Sequence, residues 1–235
     1  MTVFAIDGVF NARDVGGMPG ARGRVREGML LRSGSLVGAT EAGITELERR
    51  VDRIVDLRDG QELADAPSAV TSIATTHLPL FLGSVASFFD DDMGLEEMYR
   101  HLLEESGERL AEAVRVIARG ERTLVHCTVG KDRTGVTVAL ALSAVEAHRE
   151  EVIADYALTA SQLPEQRNRR IISYLQQHHP HSENAIALAT LSPAEVMHGV
   201  LDEVDARWGS ASDYLLANGL ADDELAGLRS ALLDS

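Results

Sequence analysis

The stretch TLVHCTVGKDRTGVTVALAL, residues 123–142, decides how this chain folds. TLVH is a short apolar run typical of a buried strand, and the residues from Thr134 onward have the pattern of a largely apolar helix. Between them lies a loop that begins at Cys127 and contains Gly130, which permits a sharp turn. The pattern therefore predicts a strand, a tight loop and a buried helix, a unit from which sheets of parallel strands are built.

Cys127 and Lys131 are the only cysteine and the only lysine among 235 residues. A single cysteine cannot form an internal disulfide or a multi-cysteine zinc site, so its thiol is either an inert core group or a reactive one. The formal net charge of −15 argues against nucleic acid or an anionic membrane as the main partner. An anionic substrate would therefore have to be held by a local cluster of basic side chains.

The flanking sequence extends the strand and helix pattern. Apolar runs at 3–6, 29–34, 52–57 and 75–83 predict strands, and helical spacing predicts helices over 40–50, 95–106, 108–119, 134–148 and most of the C-terminal half. We expect one α/β domain over 1–235 with a mainly parallel central sheet flanked by helices. No apolar run is long enough for stable membrane insertion and no signal peptide is recognisable, so a cytoplasmic location is predicted, with leaderless secretion left open.

The loop CTVGKDRT combines a thiol with a guanidinium six residues later. At a helix N-terminus, unpaired backbone N–H groups and the positive end of the helix dipole favour both an anion and a thiolate. Arg133 can hold a phosphate through two parallel hydrogen bonds. The loop thus predicts a nucleophile, Cys127, at the base of a site for a phosphoryl group.

Two other interpretations of the loop fit less well. A nucleotide-binding Walker A loop needs Gly-x4-Gly-Lys-Ser/Thr, but Val125 stands at the first glycine position and Asp132 follows Lys131. If Cys127 were only a core residue, the arginine at +6, the threonine after it and the glycine-marked helix would be coincidences. The phosphoryl-transfer interpretation is therefore preferred.

HCTVGKDRTG (126–135) is similar to the Cys-x5-Arg-Ser/Thr signature of the protein tyrosine phosphatase superfamily. The motifs NARDVGG (11–17), LLRSGSL (30–36), VDLRDGQE (55–62), DYALT (155–159) and YLLANGLADDELAGLRSALL (214–233) occur in the order typical of a bacterial subgroup. Mycobacterial members of that subgroup act on phosphotyrosine, phosphoserine/threonine and phosphoinositides. The resemblance implies a tyrosine-phosphatase-like phosphomonoester hydrolase, with a phosphorylated protein or phosphoinositide as substrate and with no metal or cofactor.

The resemblance also implies roles for the loop residues. Cys127 would form a phosphocysteine, and Arg133 would hold the phosphoryl oxygens together with the backbone of the phosphate-binding loop, which runs through Thr128, Val129, Gly130, Lys131 and Asp132. Thr134 would donate a hydrogen bond to the leaving sulfur, and His126 would order the loop from behind. Lys131 would add a positive charge at the pocket mouth, which in relatives accompanies acceptance of phosphoinositides.

The general acid is left open by the sequence. Relatives often carry this aspartate on a loop that corresponds to THLPLFLG (76–83), which here contains no carboxylate. The candidates are Asp132, Asp56 and the run 90–92. Asp132 is about equally well suited to an ion pair with Lys131 and Arg133 and to the role of general acid.

Other features have both a structural and a functional interpretation. Arg13 is expected to pair with Asp14, and Arg58 to pin its own strand, although either arginine could line the pocket. The histidines in HHPH (178–181) suggest a metal site only weakly, because adjacent side chains point apart. Residues 161–182 are predicted to form a helical lid over the pocket.

Two alternatives to hydrolysis remain at this level. One is a catalytically silent protein that binds phosphate or phosphoinositide, and the other is an arsenate reductase or sulfurtransferase with a similar Cys-Arg loop. The single cysteine argues against arsenate reduction, which normally needs resolving thiols. Retention of both Cys127 and Arg133 argues against the silent protein. The sequence predicts no oligomeric state.

Overall fold

The computed structural model describes residues 2–80 and 92–234. Its main sheet has six strands in the order β1-β2-β5-β8-β6-β7. β5, β8, β6 and β7 run parallel, while β1 and β2 add an antiparallel edge. These strands are β1 (Thr2–Val3), β2 (Arg13–Asp14), β5 (Leu30–Ser33), β6 (Arg53–Asp56), β7 (Ala74–His77) and β8 (Thr123–His126), and β3 (Pro19–Gly20) pairs with β4 (Gly23–Arg24) in a separate ribbon.

The helices of the described residues are α1 (Glu41–Arg50), α2 (Gly60–Asp65), α3 (Leu95–Glu105), α4 (Gly107–Ile117), α5 (Asp132–Ala144), α6 (Arg149–Gln162), α7 (Glu165–His178), α8 (Ala185–Thr190), α9 (Ala194–Trp208), α10 (Ala211–Ala217) and α11 (Asp222–Leu232). Most of them follow β8, as the helical pattern of the C-terminal half predicts. Within this described part of the chain, no helix is both long and apolar enough to cross a membrane.

Apolar side chains cover both faces of the sheet. Along β8, Val125 packs into the large core formed with α3–α6 and α9–α11, while Leu124 packs into a smaller core with Leu47 of α1. Successive strand residues point to opposite faces, so a continuous apolar run is what a strand buried on both sides requires. The predicted α/β class with a mainly parallel sheet is therefore confirmed.

The central strands end in register. Ser33 of β5 and Asp56 of β6 both lie beside His126 at the end of β8. The loops that follow these three strands consequently emerge at one edge of the sheet, the carboxyl edge, where ligands bind in this class of fold.

Several predicted boundaries differ from the observed ones. The first strand is Thr2–Val3 rather than 3–6, and the strand predicted at 75–83 ends at His77, two residues before Pro79, which has no N–H for a sheet. The buried helix begins at Asp132 rather than 134, because two residues of the signature loop form its first turn. Thr40 caps α1 as predicted, with its hydroxyl accepting from Gly43 N at 3.2 Å.

Candidate active site

Cys127 lies directly after β8 and five residues before α5 begins. Its side chain is only 2% exposed, and the backbone N–H of Gly130 points at Sγ from 3.2 Å. The sulfur thus accepts a backbone hydrogen bond just before the N-terminus of α5. The structure therefore gives Cys127 the surroundings of a nucleophile.

Gly130 gives the loop its shape. Its φ of +71° belongs to the left-handed region, and a Cβ built on it would lie 2.2 Å from the carbonyl oxygen of Ser33. Only glycine fits such a close approach at this angle. The Gly130 carbonyl accepts hydrogen bonds from Asn11 Nδ2 at 3.0 Å and from an Arg32 amino group at 2.8 Å. The loop is thus anchored to the N-terminal segment and to β5 on its outer side.

Arg13 and Arg32 are held by a single carboxylate, that of Asp155 on α6. Arg13 Nε donates to it at 2.6 Å, Arg32 donates to its other oxygen, and all three side chains are buried. Burial alone would raise the pKa of Asp155, but the two guanidinium groups outweigh it and lower the pKa. Burial and the neighbouring Arg32 lower the pKa of Arg13 to about 10.

The expected pairing of Arg13 with Asp14 is not what the structure has. The two residues are neighbours on β2, so their side chains point to opposite faces of the sheet. Asp14 instead accepts from the backbone N–H groups of Gly16 at 2.8 Å and Gly28 at 2.6 Å. Arg13, which is fully buried, instead donates to Asp155 and to the Thr159 hydroxyl on α6.

Arg133, in the first turn of α5, forms an ion pair with Glu62 of α2 through two hydrogen bonds. Its two terminal nitrogens donate to the two carboxylate oxygens at 2.5 and 2.8 Å. The Thr128 hydroxyl also donates to Glu62, whose other oxygen accepts from the Asp59 backbone N–H at 2.9 Å. Burial would raise the pKa of Glu62, but Arg133 and these donors hold it at about 2. Glu62 therefore fixes the direction of the guanidinium.

Glu62 was not among the candidate residues found in the sequence. It was visible as part of VDLRDGQE, and Asp59 and Glu62 form a capping box at the start of α2. The Asp-x-x-Glu spacing signals a helix start, but it gives no sign that the glutamate also reaches Arg133.

Asp56, Arg58 and His126 form a buried cluster behind the loop. Arg58 donates to Asp56 through Nε at 3.0 Å and through a terminal nitrogen at 2.7 Å, while His126 Nε2 lies 3.5 Å from the same carboxylate. Burial would raise the pKa of Asp56, but Arg58 and His126 lower it. Burial lowers the pKa of His126. An ionised, buried Asp56 that faces Arg58 is placed as a support of the strand ends.

Lys131 is covered rather than open at the pocket mouth. Its side chain is 1% exposed, and its ammonium donates to the carbonyl of Leu188, and to that of Leu191 at 2.9 Å, at the end of α8. Burial lowers its pKa. The Lys131 charge therefore lies beneath α8 in this structure, so reaching a substrate would require that contact to open.

Asp132 lies at the start of α5 with 21% of its side chain exposed. Its Oδ1 accepts from the Tyr99 hydroxyl at 2.7 Å and lies 3.4 Å from the Lys131 ammonium.

Thr134, two residues after Asp132, has a buried hydroxyl that makes no hydrogen bond to any residue the structure describes. The expected bond from Thr134 to Cys127 is thus not formed in this state.

Of the acid candidates in the run 90–92, Asp92 is the one within the described residues. Asp90 and Asp91 lie outside the described residues. Asp92 accepts from the Ser182 hydroxyl at 2.7 Å and the Asn184 backbone N–H at 2.9 Å, which ties it to the connection between α7 and α8. Among the candidates within 2–80 and 92–234, Asp132 is the one on the loop.

The predicted lid segment, 161–182, contains α7, which packs against α8 just beyond it. Leu175 of α7 meets Ala185 and Ala189 of α8 in a small apolar cluster, and Arg167 donates to the Ala189 carbonyl at 2.7 Å. α7 begins after Pro164 and ends before Pro180, as predicted. One face of α7 borders a groove of about 470 Å³ lined by Pro164, Gln166, Arg167, Arg170, Ile171 and Tyr174.

The histidine-rich end of α7 shows no metal-site geometry. His178 stacks on Tyr174 with ring centroids 4.2 Å apart. No cluster of three or more His, Cys, Asp or Glu side chains suited to a metal occurs in the described ranges.

Comparisons with known proteins agree with this geometry. Residues 4–234 match the tyrosine phosphatase family. A Cupriavidus necator protein named provisionally as a tyrosine-protein phosphatase is 31% identical over 230 residues, covering 90% of this chain and 82% of the relative. The triple specificity protein phosphatase PtpB of Mycobacterium tuberculosis is 29% identical over 280 residues, covering 99% and 100%. A tyrosine-protein phosphatase of Nostoc commune is 26% identical, covering 85% and 71%.

Proposed function

From the premise that this chain belongs to the tyrosine phosphatase family and is a protein tyrosine phosphatase, we propose that it hydrolyses phosphomonoesters through a phosphocysteine on Cys127. The observation that carries the proposal is the buried thiol that accepts a backbone hydrogen bond at the N-terminus of α5, with Arg133 six residues later held in a fixed direction by Glu62.

The first step transfers the phosphoryl group to sulfur. The Cys127 thiolate attacks phosphorus in line, the S–P bond forms as the P–O bond to the leaving group breaks, and the leaving oxygen takes the electron pair. Negative charge on the equatorial oxygens is stabilised by the loop amides and by Arg133. Because Glu62 already orients the guanidinium, little reorganisation is needed when the phosphate arrives.

We assign proton transfer to Asp132. In the first step its carboxylic acid protonates the leaving oxygen. In the second step a water oxygen attacks phosphorus, Asp132 takes the water proton, and the S–P bond breaks with its electron pair returning to Cys127. Thr134, whose buried hydroxyl has no partner among the described residues, is the donor we assign to that sulfur as it leaves. Asp56 is a less suitable acid because Arg58 holds it ionised and buried.

The substrate is a phosphorylated molecule, as the family implies. We propose phosphotyrosine in proteins as one substrate, with phosphoserine/threonine and phosphoinositides as further ones. The Mycobacterium tuberculosis relative carries the name triple specificity. Lys131 would supply a second cation for an extended anion once its contacts with the Leu188 and Leu191 carbonyls open. The cytoplasmic location indicated by the sequence stays a prediction.

We further propose that residues 1–235 form one phosphatase domain in which 161–182, with α7, act as a lid that packs on α8. The contacts of both helices support this role. The carbonyls of Leu188 and Leu191, at the end of α8, accept from the Lys131 ammonium. Burial lowers the pKa of Arg167 on α7, and the nearby Asp132 opposes that shift. A lid that carries its own cations would also draw an anionic substrate toward an acidic protein.

The test is turnover of p-nitrophenyl phosphate in the presence of EDTA. We expect activity in the wild type, none in Cys127→Ser, and retained binding of inorganic phosphate by that variant because the amide and arginine donors remain. Undiminished activity in Cys127→Ser, or loss of wild-type activity to EDTA, would refute the mechanism. An inactive wild type that still binds phosphate would instead indicate the silent phosphate-binding protein.

A further inference from the structure

Two buried tyrosines connect Asp132 to the core of the protein. The Tyr99 hydroxyl on α3 lies 2.7 Å from Asp132 Oδ1 and 2.8 Å from the Tyr156 hydroxyl on α6. Tyr99 and Tyr156 are 0% and 1% exposed, and their rings meet edge to face with centroids 6.0 Å apart. Three separate helices, α3, α5 and α6, thus contribute to one chain of hydrogen bonds that ends at the active-site loop.

The direction of this chain follows from counting protons. A phenol has one O–H, and an ionised carboxylate can only accept. The Tyr99 proton therefore goes to Asp132, and the contact between the two phenols uses the Tyr156 proton. Burial raises the pKa of Tyr99 well above its usual value, and the Asp132 charge adds to the shift. Burial also raises the pKa of Tyr156. Both phenols consequently stay protonated donors.

Tyr156 can lie this close because of a glycine in the signature. A Cβ built on Gly135 would lie 3.0 Å from the Tyr156 ring, closer than nearly all such contacts in proteins. A side chain at this position would require the Tyr156 ring to shift by a few tenths of an ångström. Gly135, the last residue of the signature motif, therefore leaves room for the Tyr156 ring beside α5.

The tyrosine chain distinguishes the two oxygens of Asp132. Oδ1 is the one that Tyr99 and Lys131 approach, at 2.7 and 3.4 Å. Because Oδ1 is already taken up by these two donors, Oδ2 is the oxygen left to exchange a proton with a substrate. We propose that Tyr99, supported by Tyr156, is a positioning residue that turns Asp132 so that Oδ2 faces the leaving group and the attacking water. This inference rests on the proton-transfer role proposed for Asp132.

The experiment compares Tyr99→Phe, Asp132→Asn and the double variant, with Tyr214→Phe as the matched control. Tyr214 is also 0% exposed and its hydroxyl donates to the Leu103 carbonyl at 2.8 Å, so its loss removes a comparable buried bond that does not lead to Asp132. The readout is kcat/KM for phenyl phosphate, a poor leaving group, and for p-nitrophenyl phosphate, a good one. The inhibition constant of inorganic phosphate, a competitive inhibitor, reports separately on phosphate binding by the loop and Arg133.

A general acid contributes about 10²–10⁴-fold, so a misdirected one should lose roughly tenfold. We expect Tyr99→Phe to lower kcat/KM for phenyl phosphate by about tenfold, with little change for p-nitrophenyl phosphate or for phosphate inhibition. Tyr214→Phe should show no such selectivity. In the Asp132→Asn background, Tyr99→Phe should cause no further loss of kcat/KM for phenyl phosphate. If Tyr99→Phe fails to fold, Tyr156→Phe should show a smaller loss with the same selectivity.

Equal losses for both substrates, or the same pattern in Tyr214→Phe, would overturn the positioning role while leaving that of Asp132 intact. A Tyr99→Phe loss that persists in full on the Asp132→Asn background would also overturn it. If Asp132→Asn itself shows no leaving-group selectivity, the proposed role of Asp132 fails first and the inference falls with it. Metal-independent turnover that requires Cys127 would still stand in that case.

Discussion

Glu62 is the residue whose removal tests the arrangement of the active site most directly. We predict that Glu62→Gln leaves the chain folded but lowers both its stability and its activity. The glutamine keeps the size of the side chain and an oxygen for the Asp59 N–H, so the start of α2 is preserved. It loses the charge that faces Arg133, whose side chain is only 6% exposed. A buried guanidinium without its carboxylate is costly.

The magnitude follows from the pKa. Lowering the pKa of Glu62 from 4.5 to about 2 corresponds to about 3 kcal/mol in favour of the folded state. The carboxylate is 22% exposed, so solvent screening reduces this to roughly 2 kcal/mol. Because the folded pKa lies below the unfolded one, the contribution is complete above pH 4.5 and is lost as pH falls through 2. The gap between wild type and variant should narrow by about half between pH 7 and pH 3.

The assay is urea unfolding at both pH values, together with kcat/KM for p-nitrophenyl phosphate at pH 7. We expect an activity loss of about tenfold, near 1.4 kcal/mol of transition-state stabilisation, because Arg133 is no longer fixed in direction. The matched control is Glu46→Gln on α1, which removes a surface pair with Arg50 at 2.6 Å and should cost less than about 0.5 kcal/mol. Equal stability losses in the two variants, or full activity in Glu62→Gln, would refute the reasoning.

Two further predictions concern the supports of the loop and its cover. Asp155→Asn should lower the free energy of unfolding by about 3–5 kcal/mol, measured by urea unfolding, because Arg13 and Arg32 would share a buried site without a counter-charge; a loss under about 1 kcal/mol would contradict this. Replacing 163–180 by a short Gly/Ser bridge should speed inactivation by hydrogen peroxide, measured as residual turnover against time, while small-ester hydrolysis persists, because a lone thiolate has no second cysteine to form a rescuing disulfide. Unchanged peroxide sensitivity in the folded deletion variant would remove the case for a protective lid.

Much of the architecture could be predicted because its signals are local. The alternation of apolar runs and helical spacing indicated the parallel sheet, the capping Thr40 marked the start of α1, and Pro164 and Pro180 bracketed α7. Each signal depends on residues within one element, where side-chain periodicity and backbone restrictions act directly. Predicted boundaries were wrong where the end of an element depends on the strands or helices packed beside it. The first strand, for example, is shorter than the apolar run that predicted it.

The sequence by itself determined the chemistry of the loop. Cys127 and Arg133 are six positions apart, with Gly130 between them, where a predicted strand leads into a predicted helix. Their spacing alone therefore predicts a thiol, a turn and a guanidinium around one anion. A short loop between two rigid elements leaves few other arrangements.

Only the tertiary structure decided what holds that loop in place. Glu62 reaches Arg133 across 71 residues, Arg13 reaches Asp155 across 142, and Tyr99 reaches Asp132 across 33. No periodicity relates such partners, because each contact forms only after the sheet register and helix packing have brought distant segments together. The same packing decided that Lys131 lies beneath α8. A charged residue's role depends on the partner it meets once water is excluded, and the fold chooses that partner.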